Sequence, residues 1–160
     1  MKKIVLVLLG VTLLSCNSKA QDQKEKKENF EVTKTEAQWK AELTELQFQV
    51  LRKEATEPPF SSELNKNYKE GTYVCAGCGT PLFESEHKFD SGTGWPSFDR
   101  EIEGNVAFSS DNKLGYTRTE EHCAVCGGHL GHVFNDGPRK TTGKRHCING
   151  AALKFIPENE

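Results

Sequence analysis

The apolar positions fall into three textures along the chain. Ile4 to Leu14 is a short apolar run behind Lys2 and Lys3, broken only by Gly10 and Thr12. Such a run falls well short of the ~20 residues a membrane-crossing helix needs, so it reads as an export signal. Asn17 to Asn29 follows with Lys19, Asp22, Lys24, Glu25, Lys26, Lys27 and Glu28 and no aromatic or branched residue. It reads as a solvated tether. A helical period then begins. Thr35 and Gln38 form a capping signature ahead of Trp39, Leu43 and Leu46, whose spacings of 4 and 3 predict a helix. A second short helix is predicted over Leu46 to Lys53, ending before Pro58 and Pro59. Thr56 to Phe60 reads as a rigid extended turn, with a loop or short helix to Lys69. Beyond Gly71, short runs are separated by Gly, Pro, Asn and Asp: Thr72–Val74, Lys88–Asp90, Ile102–Phe108, Lys113–Thr119, His132–Phe134 and Lys154–Phe155. These predict antiparallel strands with turns between them. No βαβ rhythm and no phosphate-binding glycine loop appears. The pattern therefore predicts a mainly β domain over 35–157 with a small N-terminal helical subdomain, and a frayed end at 158–160.

Length and charge narrow the function. A chain of 160 residues suits one domain. With 21 basic and 23 acidic residues the formal charge is -2, which gives no general attraction for phosphates and argues against nucleic-acid binding. The composition also excludes a multi-spanning membrane protein. Nine Phe, 3 Tyr and 2 Trp argue against a disordered chain. Six Cys and five His are the feature that points to chemistry.

The cysteines divide by spacing. Leu13-Leu14-Ser15-Cys16 resembles a bacterial lipobox, which implies a signal peptide over 1–15, a lipidated Cys16, and a tether over 16–34. The expected address is an exported lipoprotein on the periplasmic side of a membrane or the cell surface, held by the lipid alone, where disulfides are permitted. Cys75-Ala76-Gly77-Cys78 and Cys123-Ala124-Val125-Cys126 are two C-x-x-C pairs, each followed by glycine. Two such turns brought together supply four thiolates, the usual ligand set of structural Zn²⁺. Two redox pairs or two structural disulfides are the alternatives, although a redox dithiol usually opens a helix in a βαβ setting. Cys147 is left over, beside Lys144 and Arg145, with His129 and His132 upstream. It is a buried bystander, an intermolecular disulfide partner or a nucleophile, and the nearby cations and histidines favour the nucleophile.

Taken together, the motifs resemble the methionine-R-sulfoxide reductases of the MsrB type, from about Trp39 to Pro157. The resemblance is carried by Thr56-Glu57-Pro58-Pro59-Phe60, Gly71-Thr72-Tyr73-Val74-Cys75-Ala76-Gly77-Cys78-Gly79 and Ser91-Gly92-Thr93-Gly94-Trp95-Pro96-Ser97-Phe98. It continues through His129-Leu130-Gly131-His132-Val133-Phe134, Asp136-Gly137-Pro138 and Arg145-His146-Cys147-Ile148-Asn149. It implies two antiparallel sheets around the active site (an MsrB/Mss4-like β-tent), structural zinc on Cys75, Cys78, Cys123 and Cys126, and no organic cofactor. The implied activity is that of a peptide-methionine (R)-S-oxide reductase acting on oxidised peptides and proteins. By the same resemblance Cys147 attacks the sulfoxide, His132 is the closer acid with His129 as its partner, Asn149 helps hold the reacting groups, Arg145 stabilises the thiolate, and Trp95 and Phe134 bind substrate. Trp39 has no such context and is expected to pack a helix.

Three departures bear on mechanism. Many members of the family carry a resolving cysteine where this chain has Thr93, and a hydroxyl cannot form a disulfide with a sulfenic acid. The expected cycle therefore uses one cysteine and an external reductant, thioredoxin-like or another thiol. His146 stands where the family usually has an aromatic, and Gly150 where serine is usual. His146 should face away from the nucleophile, because neighbours in a strand point to opposite sides. The competing readings are an exported zinc-stabilised thiol–disulfide oxidoreductase and a non-catalytic zinc binding module. A monomer is the default assembly.

Overall fold

A computed structural model of the chain describes residues 29–158. The apolar run, Cys16 and the tether as far as residue 28 lie outside the described residues. Among the described residues, no helix is long and apolar enough to cross a membrane.

Helix α1 spans Glu36–Glu42 and helix α2 spans Glu45–Lys53. Both begin with a full capping box. Thr35 pairs with Gln38, and Thr44 pairs with Gln47, so the second helix starts at the cap rather than at its first apolar residue, Leu46. Trp39, Phe48, Val50 and Leu51 are buried. Trp39 packs as the sequence reading expected. The chain ahead of α1 is also held: Phe30 stands edge-on to His122 with centroids 6.0 Å apart, and Val32 N–H donates to the Val125 carbonyl at 2.9 Å. The packed body thus reaches Phe30, ahead of the Thr35 cap.

Two antiparallel sheets follow. Strand β1 (Gly71–Cys75) lies between β2 (Pro81–Glu84) and β9 (Leu153–Pro157). The second sheet has β3 (Lys88–Phe89), β4 (Ser97–Phe98), β5 (Val106–Asp111), β6 (Arg118–Cys123), β7 (His129–Phe134) and β8 (Arg145–Ile148). Its order is β3-β4-β8-β7-β6-β5. The mainly β class, the two antiparallel sheets and the helical N-terminal region agree with the expected architecture. The strand limits differ. The run read as Ile102–Phe108 pairs only from Val106 to Asp111, and the run read as Lys113–Thr119 is mostly hairpin tip, with pairing starting at Arg118. The sequence reading missed β2 and β4 altogether, and β8 entered it only through the expectation that His146 and Cys147 are neighbours in a strand. β2 opens on a proline, β4 has two residues after Pro96, and β8 carries Arg, His and Cys in place of the branched residues that mark a strand.

The core lies between the layers. Phe83 stacks on Phe98 at 4.4 Å between centroids, and Tyr73 meets Phe98 edge-on at 4.9 Å. Leu82, Leu130 and Ile148 are fully buried beside them. Burying each such side chain stabilises the fold by roughly 1.5–3 kcal/mol before chain entropy is counted. This core fixes β7 and β8 as neighbours, which positions the chemistry described next.

Candidate functional site

The four paired cysteines converge. Their sulfurs all lie within 4.8 Å of one another. Cys75 Sγ is 3.7 Å from Cys126 Sγ, and Cys78 Sγ is 3.5 Å from Cys123 Sγ. A tetrahedron with Zn–S bonds of ~2.3 Å has edges of ~3.8 Å, so the spacing fits a structural Zn²⁺ and not a disulfide. Each pair sits on a tight turn closed by a glycine: Gly79 N–H donates to the Cys75 carbonyl and Gly127 N–H to the Cys123 carbonyl, both at 2.8 Å. The sulfurs are so crowded that they share protons unequally. Hydrogen bonding from Cys123 and Cys126 pulls the half-buried Cys78 down, whereas the same cluster pushes buried Cys75 up. Cys123 is drawn down to about 7, chiefly by Cys126. Four thiols this close can share one metal ion only by losing their protons to become thiolates. The helices brace the cluster: Arg52 donates to the Cys126 carbonyl at 2.9 Å, and Trp39 and Leu51 pack against Gly77.

Cys147 is set apart from that cluster. It sits on β8, flanked by two paired strands: its Cα partner is His132 on β7 and Ser97 on β4. Backbone alternation puts Arg145 and Cys147 on one face of β8 and turns His146 to the other. His146 is indeed buried away from the nucleophile, bonded to Glu121 at 2.6 Å and facing Glu101 at 3.1 Å. The close approach of β7 and β8 needs Gly131. A Cβ there would lie 2.0 Å from the Cys147 carbonyl oxygen.

Cys147, His132, Asn149, Trp95 and Phe134 line one small cavity of about 130 Å³, joined by Thr56, Arg118 and Gly131. Burial pushes the Cys147 thiol up; Arg145 and Thr93 pull the other way and do not overcome it. The Thr93 hydroxyl is 3.9 Å from Cys147 Sγ. Arg145 is oriented by a two-point pairing with Asp136 at 2.9 Å and lies 4.4 Å over the Phe134 ring.

The two expected histidines take different places. His132 faces the cavity, and its Nε2 bonds to Asp111 at 2.8 Å, which leaves Nδ1 for a substrate. Burial lowers its pKa, against the pull of Asp111. Asp111 is itself held down to about 2 by the Lys113 N–H and by His132. His129 does not line this cavity. It is buried behind it, bonded to Glu120 at 2.7 Å, with its ring 5.5 Å from that of His132. Residues three apart in a regular strand face opposite ways. A register slip opposite Glu121 and His122, where β7 carries one extra residue, returns His129 to the side of His132.

Asn149 is tied to backbone. Its Oδ1 accepts from Glu57 N–H at 3.0 Å and its Nδ2 donates to the Leu130 carbonyl at 2.9 Å. Glu57, which the sequence reading quoted only within a motif, is the hinge-pin of the site. Its carboxylate accepts from Gly150 and Ala151 N–H at 2.7 and 2.8 Å, and its carbonyl accepts from the Trp95 indole at 3.1 Å. A buried glutamate thereby joins the Trp95 loop to the short 3-10 turn at Gly150–Ala152 that follows β8. Asp111, Glu120 and Arg118 were missed as well. Nothing in their spacing marks them, because they reach the site through the pairing of β5, β6 and β7.

A fold of two antiparallel sheets with a Cys₄ cluster and a lone thiol facing histidine and tryptophan defines a class of thiol proteins with a structural metal centre. The SelR domain profile matches residues 43–157, and the chain belongs to that family. A peptide methionine sulfoxide reductase MsrB of Bradyrhizobium diazoefficiens is 54% identical over 138 residues, 86% of this chain and 99% of the relative. A peptide methionine sulfoxide reductase MsrB of Leptospira interrogans is 53% identical over 131 residues, 81% of this chain and 99% of the relative. Peptide methionine sulfoxide reductase B2, chloroplastic, of Arabidopsis thaliana is 49% identical over 129 residues, 80% of this chain and 63% of the relative.

Proposed function

We propose that the protein reduces the R epimer of methionine sulfoxide in peptides and proteins, with Cys147 as the nucleophile. The observation that carries this reading is the lone thiol in a cavity whose walls are His132, directly across the paired strand, and the Trp95 ring. Trp95 supplies an apolar surface for the S-methyl group. The family membership and the three relatives support the same activity.

The chemistry follows from the groups present. Cys147 passes its proton to His132 and its sulfur attacks the sulfoxide sulfur. His132, whose Nε2–H stays on Asp111, hands that proton from its other ring nitrogen to the sulfoxide oxygen as the S–O bond breaks. Methionine leaves, and Cys147 carries the oxygen as a sulfenic acid. Thr93 offers no resolving thiol, so one external thiol displaces water to give a mixed disulfide, and a second releases Cys147 as the thiol. Arg145 and Thr93 stabilise the thiolate; burial opposes them, so the resting thiol holds its proton until substrate arrives. Zn²⁺ on Cys75, Cys78, Cys123 and Cys126 secures the fold and takes no step in the reaction. His129 and Glu120 orient His132 from behind.

For the address, the residues ahead of the domain support an exported lipoprotein with Cys16 as the anchor and an external thiol donor outside the cytoplasm. Fatty-acid labelling of the whole protein, lost in Cys16→Ala, checks this. The activity is checked on separated R- and S-sulfoxide peptides with wild type beside Cys147→Ser. The expected result is turnover of the R epimer alone and its loss in the variant by at least about a thousandfold. Equal rates on both epimers, or activity kept in the variant, would defeat the reading.

A further inference from the structure

Beside the cavity stands a feature the reaction does not use. Pro58, Pro59 and Phe60 are all exposed, Phe60 to 65%. Phe60 also holds φ at 63°, a left-handed conformation that a bulky side chain adopts only under constraint. The constraint is visible. Phe60 N–H donates to the Gly94 carbonyl at 2.7 Å, and the Ser61 hydroxyl closes the turn on the Pro58 carbonyl at 2.7 Å. Gly94, at φ 96°, is required by the same contact: a Cβ there would fall 2.8 Å from Pro59 and 3.0 Å from the Phe60 ring. A strained backbone that presents an aromatic ring to solvent, rather than to the core, is not explained by packing.

Its place in the molecule gives the explanation. The shelf follows directly on Thr56, which lines the cavity, and on Glu57, whose carbonyl holds the Trp95 indole. It lies against Gly94, between Trp95 and the Thr93 that touches Cys147. Resting on the activity proposed above, we infer that Pro58, Pro59 and Phe60 form a docking shelf for apolar residues flanking the oxidised methionine of a peptide substrate. The chemistry of the substrate agrees. Methionine belongs to apolar segments, and its oxidation disrupts cores, so damaged chains offer a sulfoxide with apolar neighbours.

The test compares two fluorescein-labelled peptides, one with phenylalanines and one with glycines on both sides of methionine-R-sulfoxide. Affinity is read by anisotropy on Cys147→Ser protein, which cannot turn the peptides over, and turnover is read separately on protein with Cys147 intact. Covering roughly 50–60 Å² of apolar surface is worth about tenfold in affinity, so the phenylalanine peptide should bind about ten times tighter. Phe60→Ala should erase most of that preference. Phe60→Asn, whose side chain tolerates the left-handed backbone, should erase it with the turn intact. Equal affinity for the two peptides, or the same preference kept in both variants, would overturn the shelf. Absence of turnover with either peptide would instead overturn the activity, while the affinity ratio still judges the shelf.

Discussion

Four cysteines of this chain lie among sulfurs, and a fifth, Cys147, lies among a hydroxyl, a guanidinium and an indole. The four come from two turns of two-residue spacing, and each finds a second sulfur 3.5–3.7 Å away. Among the described residues Cys147 is bonded to no other cysteine, and its partner on β7 is a histidine. The same side chain therefore becomes a ligand in one setting and a reagent in the other. The neighbours decide it. Four thiols within 4.8 Å of one another can all bind one metal as thiolates, while burial lets Cys147 keep its proton until a substrate gives it something to attack.

The sharpest way to separate the two settings is to remove each in turn. Zinc sites in small domains bind with on the order of 10 kcal/mol, as much as an entire domain's stability of about 5–15 kcal/mol. Cys123→Ser should leave the protein largely unfolded, and metal-stripped wild type should melt well below the loaded form by circular dichroism. Cys147→Ser should melt within about 2 °C of wild type, because it deletes no packing or metal contact. A metal-stripped protein with an unchanged melting curve would remove the distinction.

The next largest effect is expected at Gly131. Its missing Cβ would stand 2.0 Å from the Cys147 carbonyl oxygen, so Gly131→Ala must push β7 from β8. That should cost about 2–3 kcal/mol in urea unfolding and abolish most of the reductase activity, since it separates His132 from Cys147. Zinc content should stay at the wild-type level. Thr93→Cys probes the comparison from the other side by giving Cys147 a sulfur neighbour. The Thr93 hydroxyl is 3.9 Å from Cys147 Sγ, within reach of a small side-chain rotation to disulfide distance. Peptide mapping after one turnover should show a 93–147 disulfide in the variant and none in wild type.

The two settings also differ in how far they can be read without a structure. The Cys₄ cluster was legible because a local spacing specifies it: two thiols per turn need only that the turns meet. Cys147, His132, Trp95 and Phe134 were legible as motif residues. Their supports were not. Asp111, Glu120 and Arg118 arrive through strand register, and register depends on pairings between segments far apart in sequence. The place of His129 depends on one extra residue in β7, which no periodicity announces. Glu57 reads as a polar residue before two prolines, yet it is buried and bonded to Gly150 and Ala151, 93 and 94 residues away. The fold class survived the same limits because it needs only many short strands and two capped helices. The strand ends did not, since turn residues at 112–117 carry Leu114 and Tyr116 on an exposed hairpin tip and mimic a strand.

The smallest expected effect tests the electrostatics of the lone thiol. Burial raises the Cys147 pKa above the ordinary thiol value, so the neutral thiol dominates at pH 7 and its alkylation by iodoacetamide should rise with pH through the alkaline range. Arg145 opposes that shift, so Arg145→Met should move the alkylation profile to still higher pH and slow the reaction at fixed pH by a factor on the order of ten or less. Asp136 provides the control of opposite sign. It pairs with Arg145 at 2.9 Å and diverts part of its charge, so Asp136→Asn should free the guanidinium toward Cys147 and move the profile to lower pH. The zinc thiols, sealed by their metal, should contribute nothing to either profile. Shifts of the same sign in the two variants would show that Arg145 does not act on Cys147 through its charge, and titration of a zinc-site thiol would show that the metal does not seal the cluster.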